Sequence, residues 1–229
     1  MTLTIISDPA VKNIPIKECG EQLVNLATWK EGFQIDFTRK QIANRSDHFS
    51  KIRLTLAEKL FQARQLLPEQ YDFLIKECYR PPERQEKSFA NVLDYITKQY
   101  DTMTEEQQYN EACKICAPLD VAPHPTGAAV DLTLIDKQSG EEMDMGTAYN
   151  ATPFETSNAT FLNAANISKD AQQMRSILKE ALYAVGLVNY EPEWWHWSYG
   201  DKYWAFQTSQ EFAIYGIVKE NDIMSVSGE

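Results

Sequence analysis

Apolar residues recur at helical spacing between Arg53 and Leu67, where Leu54, Leu56, Ala57, Leu60, Phe61 and Ala63 fall on or near one face and Pro68 marks the end. Tyr71 to Tyr79, YDFLIKECY, is a short apolar run that predicts a strand with Arg80 at its end. Pro81-Pro82 stops that strand and opens a helix expected to reach about Tyr100. A second, polar helix is expected from Thr104 to Ile115. Ala117 to Gly127 holds three prolines and a glycine and reads as loop. Ala128 to Ile135, AAVDLTLI, is the strongest strand signal in the chain. Ser139 to Ile167 is mostly polar, and so long a connection inside a compact domain is usually functional or disordered. Ser168 reads as the N-cap of a helix running to about Val185, with Gly186 as its C-cap. Aromatic strands are expected at Trp194 to Tyr199 and at Tyr203 to Phe206. The first fifty residues carry short alternating pieces such as Thr2-Leu3-Thr4-Ile5-Ile6 and read as irregular with short strands.

Helices first, then strands with a helix between them, predict an α+β fold with a central antiparallel sheet flanked by helices. At 229 residues the expectation is one domain, with residues 1–50 as an N-terminal extension packed on it. No internal repeat or low-complexity stretch interrupts it.

Composition narrows the function classes. A formal charge of −11 argues against nucleic acid and against an anionic membrane surface. No apolar span approaches the roughly 20 residues of a transmembrane helix. Met1 to Pro15 lacks a basic start, an apolar run and a small-residue cleavage site, so the expectation is a soluble, cytoplasmic protein without a signal peptide. Of four cysteines, Cys113 and Cys116 form a single CxxC at the end of a helical run, which predicts structural or incidental thiols.

The chemistry concentrates in two segments, Pro123-His124-Pro125-Thr126-Gly127-Ala128-Ala129-Val130-Asp131 and Glu193-Trp194-Trp195-His196. Two of the three histidines fall here. His124, Asp131 and His196 suffice to hold a catalytic zinc with a position left open for water. A buried carboxylate at Asp131 in an apolar strand costs free energy unless paired or metal-bound. Glu193, three residues before His196, would serve as general base, provided the backbone at Pro192 is still bent; in a regular strand the two would face opposite ways. His48 reads as a surface or loop histidine, and Trp194, Trp195 and Trp197 as packing.

The pattern H-x-x-G-x-A-x-D-L-T-L followed by E-W-W-H resembles the D-alanyl-D-alanine dipeptidases, the VanX-like zinc peptidases related to zinc D,D-carboxypeptidases. Tyr79-Arg80-Pro81 and Asp144-Met145-Gly146-Thr147 resemble two further family segments, in the family's order. The resemblance implies one zinc per chain on His124, Asp131 and His196, with Glu193 as catalytic base. It implies that Arg80 stabilises the transition state and that Asp144 holds the substrate's free ammonium. The substrate implied is the small dipeptide D-alanyl-D-alanine, cleaved to two D-alanines for wall recycling or to remove a precursor recognised by glycopeptide antibiotics. One departure is Ala122, where the family usually carries serine; it bears on substrate identity. Two other readings stand beside this one. One is a zinc carboxypeptidase or endopeptidase acting on peptidoglycan stem peptides. The other is a zinc-binding module without catalysis, against which the presence of both Glu193 and Arg80 argues.

Overall fold

A computed structural model describes residues 3–38, 46 and 48–223; Thr2 of the expected first alternating piece, residues 39–45 and Asp47 lie outside the described residues. The chain runs α1 (Pro9–Lys12), β1 (Leu23–Asn25), β2 (Gln34–Ile35), β3 (Lys51–Arg53), α2 (Leu54–Arg64) and β4 (Tyr71–Glu77). It continues through α3 (Pro82–Gln99), α4 (Glu105–Cys113), β5 (Ala129–Asp136), α5 (Lys169–Ala184), β6 (Val188–Asn189), β7 (His196–Ser198) and α6 (Lys202–Gln207).

Five strands form one sheet in the order β2-β4-β5-β7-β6. Its pairs are antiparallel except β2, which adds in parallel at the edge beside β4. The α+β class and the mainly antiparallel sheet agree with the periodicity of the chain. β1 and β3 form a separate two-stranded ribbon. The described residues among the first fifty supply β1 and the sheet edge β2, and Leu26 and Phe33 join the main core.

Alternation along β5 separates packing from chemistry. Val130, Leu132 and Leu134 join the core with Trp197, Leu56, Leu60, Leu178 and Leu182, so α2 and α5 cover that face. Asp131 and Thr133 alternate with them. A second apolar cluster gathers Ile6, Val11, Cys113, Val121, Tyr190 and Tyr203.

Helix ends follow their caps. Thr104 accepts from the Gln107 amide while Gln107 returns the bond, a capping box that opens α4. Ser168 accepts from the Ala171 amide and opens α5. The segment Tyr203 to Phe206 is helical, not a strand. Asp201 accepts from the amides of Tyr203 and Trp204, and this N-cap turns a short aromatic run, ambiguous by period alone, into α6.

The long polar connection before α5 is ordered by one buried cation. Arg175 donates to the carbonyls of Met145, Ala159 and Phe161 at 2.8, 2.8 and 2.6 Å and lies over the Trp194 ring. Its burial lowers its pKa to about 10.

Candidate active site

The site begins as a row across three neighbouring strands. Glu77 of β4 stands opposite Asp131 of β5, which stands opposite His196 of β7. Residues directly opposite in a sheet share a face, so the three side chains emerge on one side. An irregularity between Ile75 and Glu77 re-aims the end of β4.

His124 arrives from a 3-10 turn, His124–Thr126, that precedes β5. Gly127 closes this turn with φ +70°, and an added Cβ would meet Leu23 Cδ2 at 2.3 Å. The positive φ favours glycine there, and any side chain would also have to push the end of Leu23 aside. His124 Nδ1 sits 2.5 Å from the Cys78 carbonyl. A proton on that nitrogen leaves Nε2, which faces Asp131 Oδ1 at 3.4 Å, with its lone pair free.

His196 Nδ1 lies 2.9 Å from the same Asp131 oxygen. One ligand atom from each of the three residues lies within 4.8 Å of the others, and all three are buried. Two imidazoles and a carboxylate fit a zinc ion, and second groups fix the orientation of His124 and Asp131. Tyr149 supplies that second group for Asp131, its hydroxyl donating to Oδ2 at 2.9 Å.

The electrostatics follow. Burial alone would raise the Asp131 pKa, but the imidazoles of His124 and His196 hold it well below the carboxylate range. Burial lowers the His196 pKa against the opposing pull of Asp131, so this ring stays neutral.

Glu193 sits in the turn before β7. Its amide donates to Tyr190 O, its carbonyl accepts from the His196 amide, and Asn189 Nδ2 binds the carbonyls of both Glu193 and His196 at 2.9 Å. The bent backbone lets Glu193 face the same way as His196, with Oε2 3.9 Å from His196 Nδ1. Burial, then repulsion from Asp131, raises the Glu193 pKa well above the usual value, against the pull of Arg80.

Arg80 follows β4 and reaches the same cavity, whose wall also includes Cys116, His124, Asn150, Glu193 and Trp195. Its Nε and Nη2 donate to the Glu77 carboxylate at 3.3 and 2.7 Å, and Nη1 to Gln85 Oε1 at 3.0 Å. Burial would raise the Glu77 carboxyl, but the Arg80 guanidinium overrides it and holds it at about 2.

Asp144 is the exception. It is exposed, its Oδ1 accepts from the Gly146 amide at 2.7 Å, and it caps a turn outside the cavity wall. The structure thus brings His124, Asp131, His196, Glu193 and Arg80 together and leaves Asp144 apart. Ala122 is buried and His48 half-buried in a turn. No disulfide joins Cys19, Cys78, Cys113 and Cys116; burial raises the Cys116 pKa to about 11.

Sequence reading missed Glu77, Gln85 and Tyr149. Glu77 carried a signal, an acidic residue inside an apolar run and three residues before Arg80. Tyr149 lies in a segment without periodicity, and nothing local pointed it at Asp131.

Residues 34–214 match the family described as D-ala-D-ala dipeptidase. A D-alanyl-D-alanine dipeptidase of Synechocystis sp. is 28% identical over 236 residues, covering 90% of this chain and 95% of that protein. One from Enterococcus faecalis is 29% identical over 198 residues, covering 80% and 90%. One from Enterococcus faecium is 27% identical over 153 residues, covering 64% and 72%. No helix among the described residues is long and apolar enough to cross a membrane.

Proposed function

From the premise that this chain belongs to the D-Ala-D-Ala dipeptidase family of zinc metallopeptidases, we propose that it hydrolyses D-alanyl-D-alanine to two D-alanines in the cytoplasm, with one zinc ion held by His124, Asp131 and His196. The observation that carries this reading is the convergence of a metal-type triad, the half-buried Glu193 carboxylate and the Arg80 guanidinium on one cavity.

Zinc, when bound, lowers the pKa of its water to about 7 and polarises the substrate carbonyl. Glu193 takes a proton from the attacking water and returns it to the departing amine nitrogen, so that no net proton is lost. Its proton affinity, raised by burial, suits a group that must accept a proton. Arg80 keeps its charge throughout and offers the N–H groups not taken by Glu77 and Gln85 to the oxygen that gains negative charge.

A second reading has an observation of its own. Asp144 stands outside the cavity, and the residue in its wall from the same segment is the neutral Asn150. Among the described residues of that wall, Asp131 is committed to the imidazoles and Glu193 to the proton. No further carboxylate lines it to read a free ammonium. This favours a carboxypeptidase acting on longer stem peptides.

One comparison decides between them. Purified, zinc-loaded protein is assayed for D-alanine release from D-Ala-D-Ala and from its N-acetylated form. Cleavage of the free dipeptide alone supports the dipeptidase. Cleavage of the acetylated form moves the assignment to carboxypeptidase, and cleavage of neither overturns both.

A further inference from the structure

We propose that Gln85 is a positioning residue that locks the orientation of the Arg80 guanidinium, an inference that rests on the hydrolase reading above. Gln85 lies in the first turn of α3 and is 1% exposed. Its Oε1 accepts from Arg80 Nη1 at 3.0 Å, and its Nε2 donates to the Ala117 carbonyl at 2.6 Å and lies 3.3 Å from Cys116 Sγ.

Both ends of the amide are committed, and the commitment fixes which end is which. Turned over, the amide would set its N–H groups against the Arg80 donors and its oxygen against the Ala117 carbonyl. The amide therefore acts as a strut between the Cys116–Ala117 loop and the guanidinium.

Arg80 needs such a strut. Glu77 holds one edge of the guanidinium through Nε and Nη2. An edge pair of this kind leaves the plane free to tilt about the carboxylate. A third bond, to Nη1 from another element, removes that freedom. Of the five guanidinium N–H groups three are then engaged, leaving one on each terminal nitrogen for an oxyanion.

Neutrality matters as well as geometry. Glu77 already balances the charge of Arg80, and a second carboxylate at position 85 would leave the cluster net negative. An amide orients the guanidinium without quenching it further.

The test uses the full-length, zinc-loaded chain with 15N-labelled arginine. In the wild type the two Arg80 terminal nitrogens give separate signals, assigned by their loss in Arg80→Lys. In Gln85→Met those signals merge through rotation while the Nε signal persists on Glu77; separate signals in Gln85→Met would overturn the proposal. On D-Ala-D-Ala, Gln85→Met loses about tenfold or more in kcat, the range expected for a hydrogen bond to a charged group, with KM and zinc content near wild type. In an Arg80→Ala background the same change has no further effect. An equal loss in both backgrounds would show a merely structural role and overturn the proposal. If Gln85→Met does not fold, Gln85→Glu keeps the separate nitrogen signals yet loses turnover through its added charge, and merged signals there would again overturn it. A wild type that releases no D-alanine refutes the functional reading, while the nitrogen signals still decide the role of Gln85.

Discussion

Tyr149→Phe removes one oxygen atom and leaves the rest of its surroundings in place. The ring is buried and packs edge-on against Trp195 at 5.4 Å, contacts that phenylalanine retains. What is lost is the 2.9 Å bond from the hydroxyl to Asp131 Oδ2. Asp131 Oδ1 keeps both imidazoles beside it, so the carboxylate stays in the site and loses its brace on one side. Removing an outer partner of a metal ligand typically costs about 10–100-fold in metal affinity. At about 1.4 kcal/mol per factor of ten, the zinc affinity of Tyr149→Phe should weaken by roughly 1.4–2.8 kcal/mol. Competition against a chromogenic chelator measures this directly, and the rise in Tm on adding zinc should shrink in parallel. A zinc affinity unchanged within about twofold would refute the reasoning, because the hydroxyl's hold on the Asp131 carboxylate would then have no energetic consequence for the metal.

Three further outcomes are expected. Glu193→Gln lowers kcat by about 10²–10⁴-fold while zinc content stays near one per chain, and loss of zinc would make Glu193 a ligand rather than a base. His124→Ala and His196→Ala each lose both metal and turnover, measured by elemental analysis beside the D-alanine assay; stoichiometric zinc in either variant would sink the ligand set. Asp36 is buried and pairs with the Lys76 ammonium at 2.9 Å. Burial pushes its pKa up, but the Thr38 hydroxyl and Lys76 prevail and hold it below its ordinary value. A depressed carboxylate contributes stability above its unfolded pKa and loses it as pH falls through the folded one. The Tm gap between wild type and Asp36→Asn should therefore be full near neutral pH and close below about pH 4; a gap that widens in acid would contradict the pairing.

The legible parts of the chain share a physical cause. β5 was readable because AAVDLTLI is buried and uninterrupted, and α5 because Ser168 and Gly186 bound it chemically. The two short strands β6 and β2 left no trace, since two residues carry no period. α6 was misread as a strand because only its cap, and not its aromatic spacing, separates the two. In the site, His124, Asp131, His196 and Glu193 stood out because rare residue types fell in two short segments. Asp144 was misplaced because a resemblance in sequence does not say which side chain of a turn faces inward; here Asp144 closes the turn on the Gly146 amide and Asn150 reaches the cavity. Tyr149 reaches Asp131 from 18 residues away, which no local pattern records, whereas Glu77 and Gln85 lie three and five residues from Arg80 and their pairing depends on how the end of β4 and the first turn of α3 face each other.

The row Glu77–Asp131–His196 makes chemistry conditional on strand pairing. A slip of β7 by one residue against β5 would send His196 to the core side and bring Trp197 out. Neither neighbour could compensate, because strand spacing of about 4.8 Å sets the distance between the groups. During folding, misregistered chains would thus be silent, and the first zinc captured would report that β5 and β7 had found their native alignment.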